Sequence, residues 1–254
     1  MNVWERNQEV SNYDQSHWPG LCQTGRSQSP INLANESTAF KFLEPLEFVN
    51  FDKSEWLFLD NNGWTAELRG FKNWKNRPAI SGGNLTGTYR LHNIHFHWGQ
   101  NTSHGSEHSV NGVKYAGEMH FVFSRFNKPW RNGVDDVHVL SVFLAANESH
   151  GVLSPIKNGL SKIVKKGKIT SIKNLKPSSF LPQDLKHFYR YTGSLTAPPC
   201  SEGVIWTVME KPVDISTSQL DLLRKIQAKD RRPFIPGNYR NLQNLNDRII
   251  VYRT

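Results

Sequence analysis

Two histidines separated by one phenylalanine, inside the run Tyr89-Arg90-Leu91-His92-Asn93-Ile94-His95-Phe96-His97-Trp98-Gly99, restrict what this chain can become more than any other feature. On a strand, alternate side chains share a face. His95 and His97 then point the same way, roughly 7 Å apart at the backbone, so both rings can converge on one ion. Ile94, Phe96 and Trp98 take the opposite face and suit a core. Asn93 joins the histidine face, where it can orient a ring through a hydrogen bond. The run Ala116-Gly117-Glu118-Met119-His120-Phe121-Val122-Phe123 repeats the logic, with Glu118, His120 and Val122 on one face and Met119, Phe121 and Phe123 on the other. A Glu–His pair inside an apolar strand is costly unless its polar atoms are satisfied. Metal ligation by His120, backed by Glu118, satisfies both; a hydrogen-bonded core pair without metal is the alternative. Two such strands in one chain favour the metal. Three neutral imidazoles with one open position describe a catalytic zinc site, since structural sites close with four protein ligands and this chain has no CxxC pair. Copper also accepts imidazole.

The rest of the chain is strand-like. Segments 55–60, 88–98, 114–123, 137–145 and 203–209 read as strands cut by Gly, Pro and Asn, with a tight turn at Asn61-Asn62-Gly63. Helical pattern is scarce. Ser216-Thr217-Ser218-Gln219 forms a capping box ahead of Leu220, Leu223 and Ile226, and Leu153 to Lys166 is a second candidate. With few βα alternations, the expected fold is mostly β with peripheral helices, one domain over residues 1–254 around a large, predominantly antiparallel sheet. Hydrophobic residues make up 37% of the 254, enough for a core and too many for wholesale disorder. No apolar run reaches about 18 residues, so no helical membrane span is expected.

Lys and Arg number 31 against 22 Asp and Glu, a formal charge of +9. The densest stretch, Lys162, Lys165, Lys166, Lys168, Lys173 and Lys176, reads as the end of a surface helix closed by Gly167. It lacks interleaved aromatics, which argues against nucleic acid and leaves a polyanion or matrix contact open. Cys22 and Cys200 are the only cysteines, buried thiols if the compartment is reducing. Sequons at Asn35, Asn84, Asn101 and Asn147 favour secretion instead. Met1 to Asn7 is polar and no signal peptide, so the protein is either intracellular or represented here without its leader.

The order and spacing of several motifs resemble the α-class carbonic anhydrases. They are His17-Trp18-Pro19-Gly20, Gln28-Ser29-Pro30-Ile31-Asn32, Asn61-Asn62-Gly63, His95-Phe96-His97-Trp98-Gly99, Gly105-Ser106-Glu107-His108, Glu118-Met119-His120, Gly193-Ser194-Leu195-Thr196-Ala197-Pro198-Pro199 and Asn238-Tyr239-Arg240. The resemblance spans nearly the whole chain and is closest to secreted members with one disulfide. It implies a twisted sheet of about ten strands and Zn2+ held by His95, His97 and His120. It also implies reversible hydration of carbon dioxide to bicarbonate and a proton by zinc-bound hydroxide. Thr196 matches the catalytic hydroxyl, and Glu107 the carboxylate that takes its proton. Asn93, Glu118 and Asn238 match residues behind the ligands, with Asn93 standing where the family usually has Gln. Val122, Val139, Leu195, Val204 and Trp206 match the apolar wall where carbon dioxide rests. Ala197 replaces a frequent Thr or His. The resemblance further implies a Cys22–Cys200 disulfide, cis bonds before Pro30 and Pro199, and inhibition by sulfonamides and anions.

One matched position departs. Many fast members carry a proton-relaying His after the Asn-Asn-Gly turn; here it is Trp64, whose indole cannot take up and release a proton near neutral pH. The expected enzyme is therefore active but buffer-dependent, unless His92, His104 or His108 replaces the relay. Glu67, at a cavity-wall position, could carry a proton only with a raised pKa. The competing reading is a slow or silent relative serving as an extracellular binding or matrix module. Retention of all three histidines speaks against it.

Overall fold

The protein is described by a computed structural model that covers residues 15–127, 136–148, 151–228 and 237–254. The Met1–Asn7 segment and Ser149 of the fourth sequon lie outside the described residues.

Alternating sequences become strands that share one sheet. Its continuous path holds, in chain order, β1 (Thr38–Lys41), β2 (Leu57–Asn61), β3 (Ala66–Arg69), β4 (Tyr89–Trp98), β5 (Gly117–Arg125), β6 (Val137–Ala146), β7 (Ile169–Ile172), β8 (Phe188–Ser194), β9 (Glu202–Met209) and β10 (Ile250–Arg253). In space they run β7-β2-β3-β4-β5-β6-β9-β8-β10-β1. Only β6 with β9 and β10 with β1 pair in parallel along this path. Leu46–Val49, Ala79–Gly82 and Val213–Ile215 attach beside it, making a sheet of 13 strands rather than about ten. A mostly β fold with a predominantly antiparallel sheet is as the sequence implies.

The two histidine-bearing strands lie side by side at its centre. Ile94, Phe96 and Trp98 of β4 and Met119, Phe121 and Phe123 of β5 face the main apolar cluster and are fully buried. Removing each such side chain from water contributes about 1.5–3 kcal/mol. A bulge at His92 interrupts the β4–β5 register between Leu91 and Asn93. Strict alternation would put Leu91 on the histidine face; the extra residue returns it to the core.

Helices are few among the described residues: α1 (Leu21–Thr24), α2 (Lys157–Leu160) and α3 (Thr217–Arg224). The Ser216 hydroxyl accepts the Gln219 N–H as an N-cap, while Leu220 and Leu223 are buried. The Gln219 side chain does not complete the capping box; it bonds Gly151 and Ser154 instead. The expected helix from Leu153 to Lys166 is cut short. After a 3₁₀ turn at Ser154–Ile156, α2 ends at Leu160. The lysine run therefore does not close a helix. It lies in the turns and loops before and after edge strand β7, with Lys162, Lys165, Lys166, Lys168, Lys173 and Lys176 all exposed. Gly167 takes φ 80° in a turn whose N–H bonds the Asn61 carbonyl.

Candidate metal centre

Antiparallel register sets His95 of β4 directly opposite His120 of β5. Alternation adds His97, so three imidazoles meet on one face, with ring centroids 4.6–5.2 Å apart. One ligating atom from each lies within 4.8 Å of the others. All three rings are buried, and burial lowers each pKa, that of His97 to about 4. They are neutral, the state in which imidazole donates to a metal.

Each ring is held from behind. His95 Nδ1 donates to Asn93 Oδ1 at 3.1 Å, and His97 Nδ1 donates to the Asn238 carbonyl at 2.9 Å. His120 Nε2 donates to Glu118 Oε1 at 2.8 Å. These bonds turn Nε2 of His95, Nε2 of His97 and Nδ1 of His120 toward a common centre. His97 Nε2 is buried without a hydrogen-bond partner. A buried orphan among neutral nitrogens is costly by itself and fits a borderline cation such as Zn2+. Glu118 is itself fixed by His108 Nδ1, Ser141 Oγ and the N–H groups of Glu107 and His108, at 2.6–2.8 Å. These bonds and the flanking histidines hold its pKa well below the usual carboxylate range despite burial.

Thr196 and Glu107 complete the polar rim. Glu107 Oε1 accepts the Arg240 N–H at 2.8 Å, and its Oε2 is buried without a hydrogen-bond partner. Burial raises the Glu107 pKa, and the nearby Thr196 hydroxyl acts to lower it. Val122, Val139, Leu195, Val204 and Trp206 fall together in a second apolar cluster, distinct from the main core. Val139 pairs across to Val122 on β5 and Trp206 on β9, and the Trp206 ring meets His120 at 4.9 Å. The opening is lined by Trp18, Trp64, Thr65, His95, His97, Thr196, Ala197, Asn238, Tyr239 and Arg240.

Trp64 sits on the turn after β2, where Asn62 Oδ1 accepts the N–H groups of Trp64 and Thr65 and Gly63 takes φ 88°. Its indole meets Trp18 edge-on at 6.5 Å and packs on the cluster formed by Trp18, Cys22 and Cys200. Cys22 and Cys200 form a disulfide that ties the segment after Thr196 to the N-terminal region. The bonds before Pro30 and Pro199 are both cis.

The alternative relays are placed elsewhere. None of His92, His104 and His108 lines the opening. His108 is fully buried behind the centre, bonded to Glu118 and Tyr191. His92 is the bulged residue, its pKa lowered to about 4 by burial. His104 is exposed and bonds Ser103.

Glu67 is the unexpected acid. It is 6% exposed, stands opposite His95 in the β3–β4 register and accepts a bond from Asn62 Nδ2 at 3.0 Å. Burial, reinforced by the charge of Asp60, pushes its pKa up to about 7. A carboxyl raised from its unfolded value favours the native state below that unfolded value. The advantage is lost as pH climbs through the folded one, on the order of 3 kcal/mol in all. Glu67→Gln in metal-free protein should therefore raise the melting temperature at pH 8.5 and leave it nearly unchanged at pH 4.5. Equal shifts at both pH values would contradict this reading of Glu67.

The sequence reading missed Arg240 as a structural tie. Its buried guanidinium bonds Gln28, the Ser29 carbonyl and the Cys22 carbonyl, while its N–H fixes Glu107. No local pattern reveals such a tie, because its partners lie 133 to 218 positions away. The backbone carbonyl of Asn238, rather than its side chain, holds His97. The side chain instead accepts the Trp98 N–H and donates to the Trp64 and Phe96 carbonyls.

A family model described as eukaryotic-type carbonic anhydrase matches residues 13–254. A Caenorhabditis elegans protein named as a carbonic anhydrase, number 5, is 39% identical over 251 residues, covering 95% of this chain and 81% of its own. Carbonic anhydrase 3 of Homo sapiens is 32% identical over 245 residues, covering 92% and 93%. Carbonic anhydrase 7 of Homo sapiens is 32% identical over 247 residues, covering 92% of each chain.

Proposed function

Because this chain belongs to the eukaryotic-type carbonic anhydrase family and is an enzyme of that class, a zinc lyase acting on carbon dioxide and bicarbonate, we propose the following division of labour. His95, His97 and His120 hold Zn2+, Thr196 and Glu107 orient the attacking oxygen, and Trp64 leaves proton export to buffer. The observation that carries this is the convergence of three buried, neutral imidazoles, each fixed through its other nitrogen. When bound, zinc supplies the Lewis acidity that makes water nucleophilic near neutral pH, behaviour for which this family is the standard example.

The chain's own residues do the rest. The buried, unpartnered Oε2 of Glu107 offers the Thr196 hydroxyl an acceptor, and a hydroxyl that donates there can only accept toward the cavity. An attacking oxygen must point its hydrogen at Thr196 and its lone pair at the substrate carbon. The wall of Val122, Val139, Leu195, Val204 and Trp206 offers carbon dioxide an apolar seat with no competing hydrogen bonds. The Thr196 N–H meets a substrate oxygen. One water and one carbon dioxide become bicarbonate and one proton, and that proton must leave past Trp64. Glu118 and the Asn93 and Asn238 oxygens keep the rings in the donating tautomer. The open position also takes sulfonamides and small anions as inhibitors.

Secretion and N-glycosylation belong to the same proposal. They are supported by the Cys22–Cys200 bridge and by the exposure of Asn35, Asn84, Asn101 and Asn147. The exposed lysines that flank β7, in a span from 149 to 183 without Asp or Glu, supply the charge for a polyanion or matrix contact. One preparation tests the whole reading. Protein expressed in eukaryotic cells behind a secretory leader should hydrate carbon dioxide, stop with an aryl sulfonamide, and lose mass when N-glycans are removed. Zinc-loaded protein without hydration activity would overturn the catalytic assignment and leave the binding-module reading. Unchanged mass would overturn glycosylation alone.

A further inference from the structure

A second set of metal-ligating groups stands apart from the histidine trio. Asp184 and His187 precede β8, and Glu210 follows β9, so the antiparallel β8–β9 pair brings them to the same end of the sheet. The Glu210 N–H donates to the His187 carbonyl at 3.1 Å and fixes that juxtaposition. His187 Nδ1 and Asp184 Oδ2 lie 2.6 Å apart, while the Lys186 N–H holds Asp184 Oδ1 at 2.8 Å. One ligating atom from each of Asp184, His187 and Glu210 lies within 4.8 Å of the others. Their side chains are 29%, 38% and 30% exposed, open enough to admit an ion and covered enough to be held in place.

The surroundings favour a cation. Tyr252 of β10 stacks on His187 with ring centroids 6.4 Å apart. Burial raises the Tyr252 pKa most, and the charges of Glu210 and Asp184 add to it, a local excess of negative charge in a chain of formal charge +9. Lys211, 3.5 Å from Glu210 Oε2, is the cation paired with this group of acids. One imidazole and two carboxylate oxygens suit a borderline divalent ion better than Ca2+ or Mg2+, which favour oxygen donors alone.

We propose that Asp184, His187 and Glu210 bind a second Zn2+, which clamps the ends of β8 and β9. The ion takes the place of the hydrogen between His187 Nδ1 and Asp184 Oδ2, the imidazole carries its single hydrogen on Nε2 instead, and Lys211 turns away from Glu210. Because the ion binds only the folded chain, it also raises the melting temperature.

The test uses the intact enzyme already carrying one zinc, dialysed against excess free Zn2+. Two zinc ions per chain are expected, with a higher melting temperature. His187→Ala and Glu210→Gln should each return the count to one and abolish the added thermal shift, with carbon dioxide hydration unchanged. A wild-type count of one would overturn the site. A second ion retained in both variants would overturn it equally, by placing that ion elsewhere. The substituted side chains are about one-third exposed, and a melting curve without added zinc verifies that each variant is folded.

Discussion

Carbon dioxide hydration by this protein should climb steeply as imidazole is added to a weakly buffered assay. The residue after the Asn62-Gly63 turn is an indole, which donates one N–H and accepts nothing. It is also packed against Trp18 and the Cys22–Cys200 bridge at the mouth of the opening. Glu67, although its pKa rises to about 7, does not line the opening, and without a side-chain relay there each proton leaves to water. By microscopic reversal, an encounter rate of about 10^10 M⁻¹s⁻¹ and an acid constant of roughly 10^-7 M cap that route near 10^3 s⁻¹. Fast proton mobility in water lifts the cap about tenfold. Mobile imidazole bypasses it, so turnover should rise roughly tenfold or more before levelling off. Trp64→His places a titrating ring at the mouth and should raise turnover in dilute buffer while flattening the imidazole response. A high turnover that ignores buffer in the wild-type protein would show that another group carries the proton.

Removing the Thr196 hydroxyl should be as damaging, for a different reason. Thr196→Val keeps the shape of the side chain and deletes the hydroxyl that the proposed mechanism sets between Glu107 and the attacking oxygen. The attacking oxygen then loses its orientation, and kcat/KM should fall about 10²-fold. Zinc content should not change, because Thr196 lies outside the nitrogen trio. Thr196→Ser keeps the hydroxyl and should recover most of the activity. Equal loss in both variants would mean that the methyl packing of Thr196, not its hydroxyl, matters for the reaction.

The histidine trio was legible because a strand's period of two fixes a face without knowledge of its neighbour. Which residue stands opposite which was not legible. That His95 faces both His120 and Glu67 depends on the registers of β4 with β5 and β3, which no local pattern records. Leu91 shows the same limit, since a bulge at His92 changes its face. The helix expected from Leu153 to Lys166 failed through tertiary packing. Gly159 lies so close to Leu59 and Ile172 that a Cβ there would approach them within 2.9 Å, and the chain turns off after Leu160 to reach β7. His108 lay open as a relay in the sequence because its two buried partners, Glu118 and Tyr191, converge only in the fold.

The central claim is that one zinc ion is gripped by three imidazole nitrogens, with a corner left for solvent. Crystals of protein carrying a single equivalent of zinc, measured on both sides of the zinc absorption edge, test it most directly. The anomalous difference map should place one peak about 2 Å from Nε2 of His95, Nε2 of His97 and Nδ1 of His120, with no other side chain in reach. A peak centred away from these nitrogens, or a fourth side chain bonded to the ion, would contradict the account.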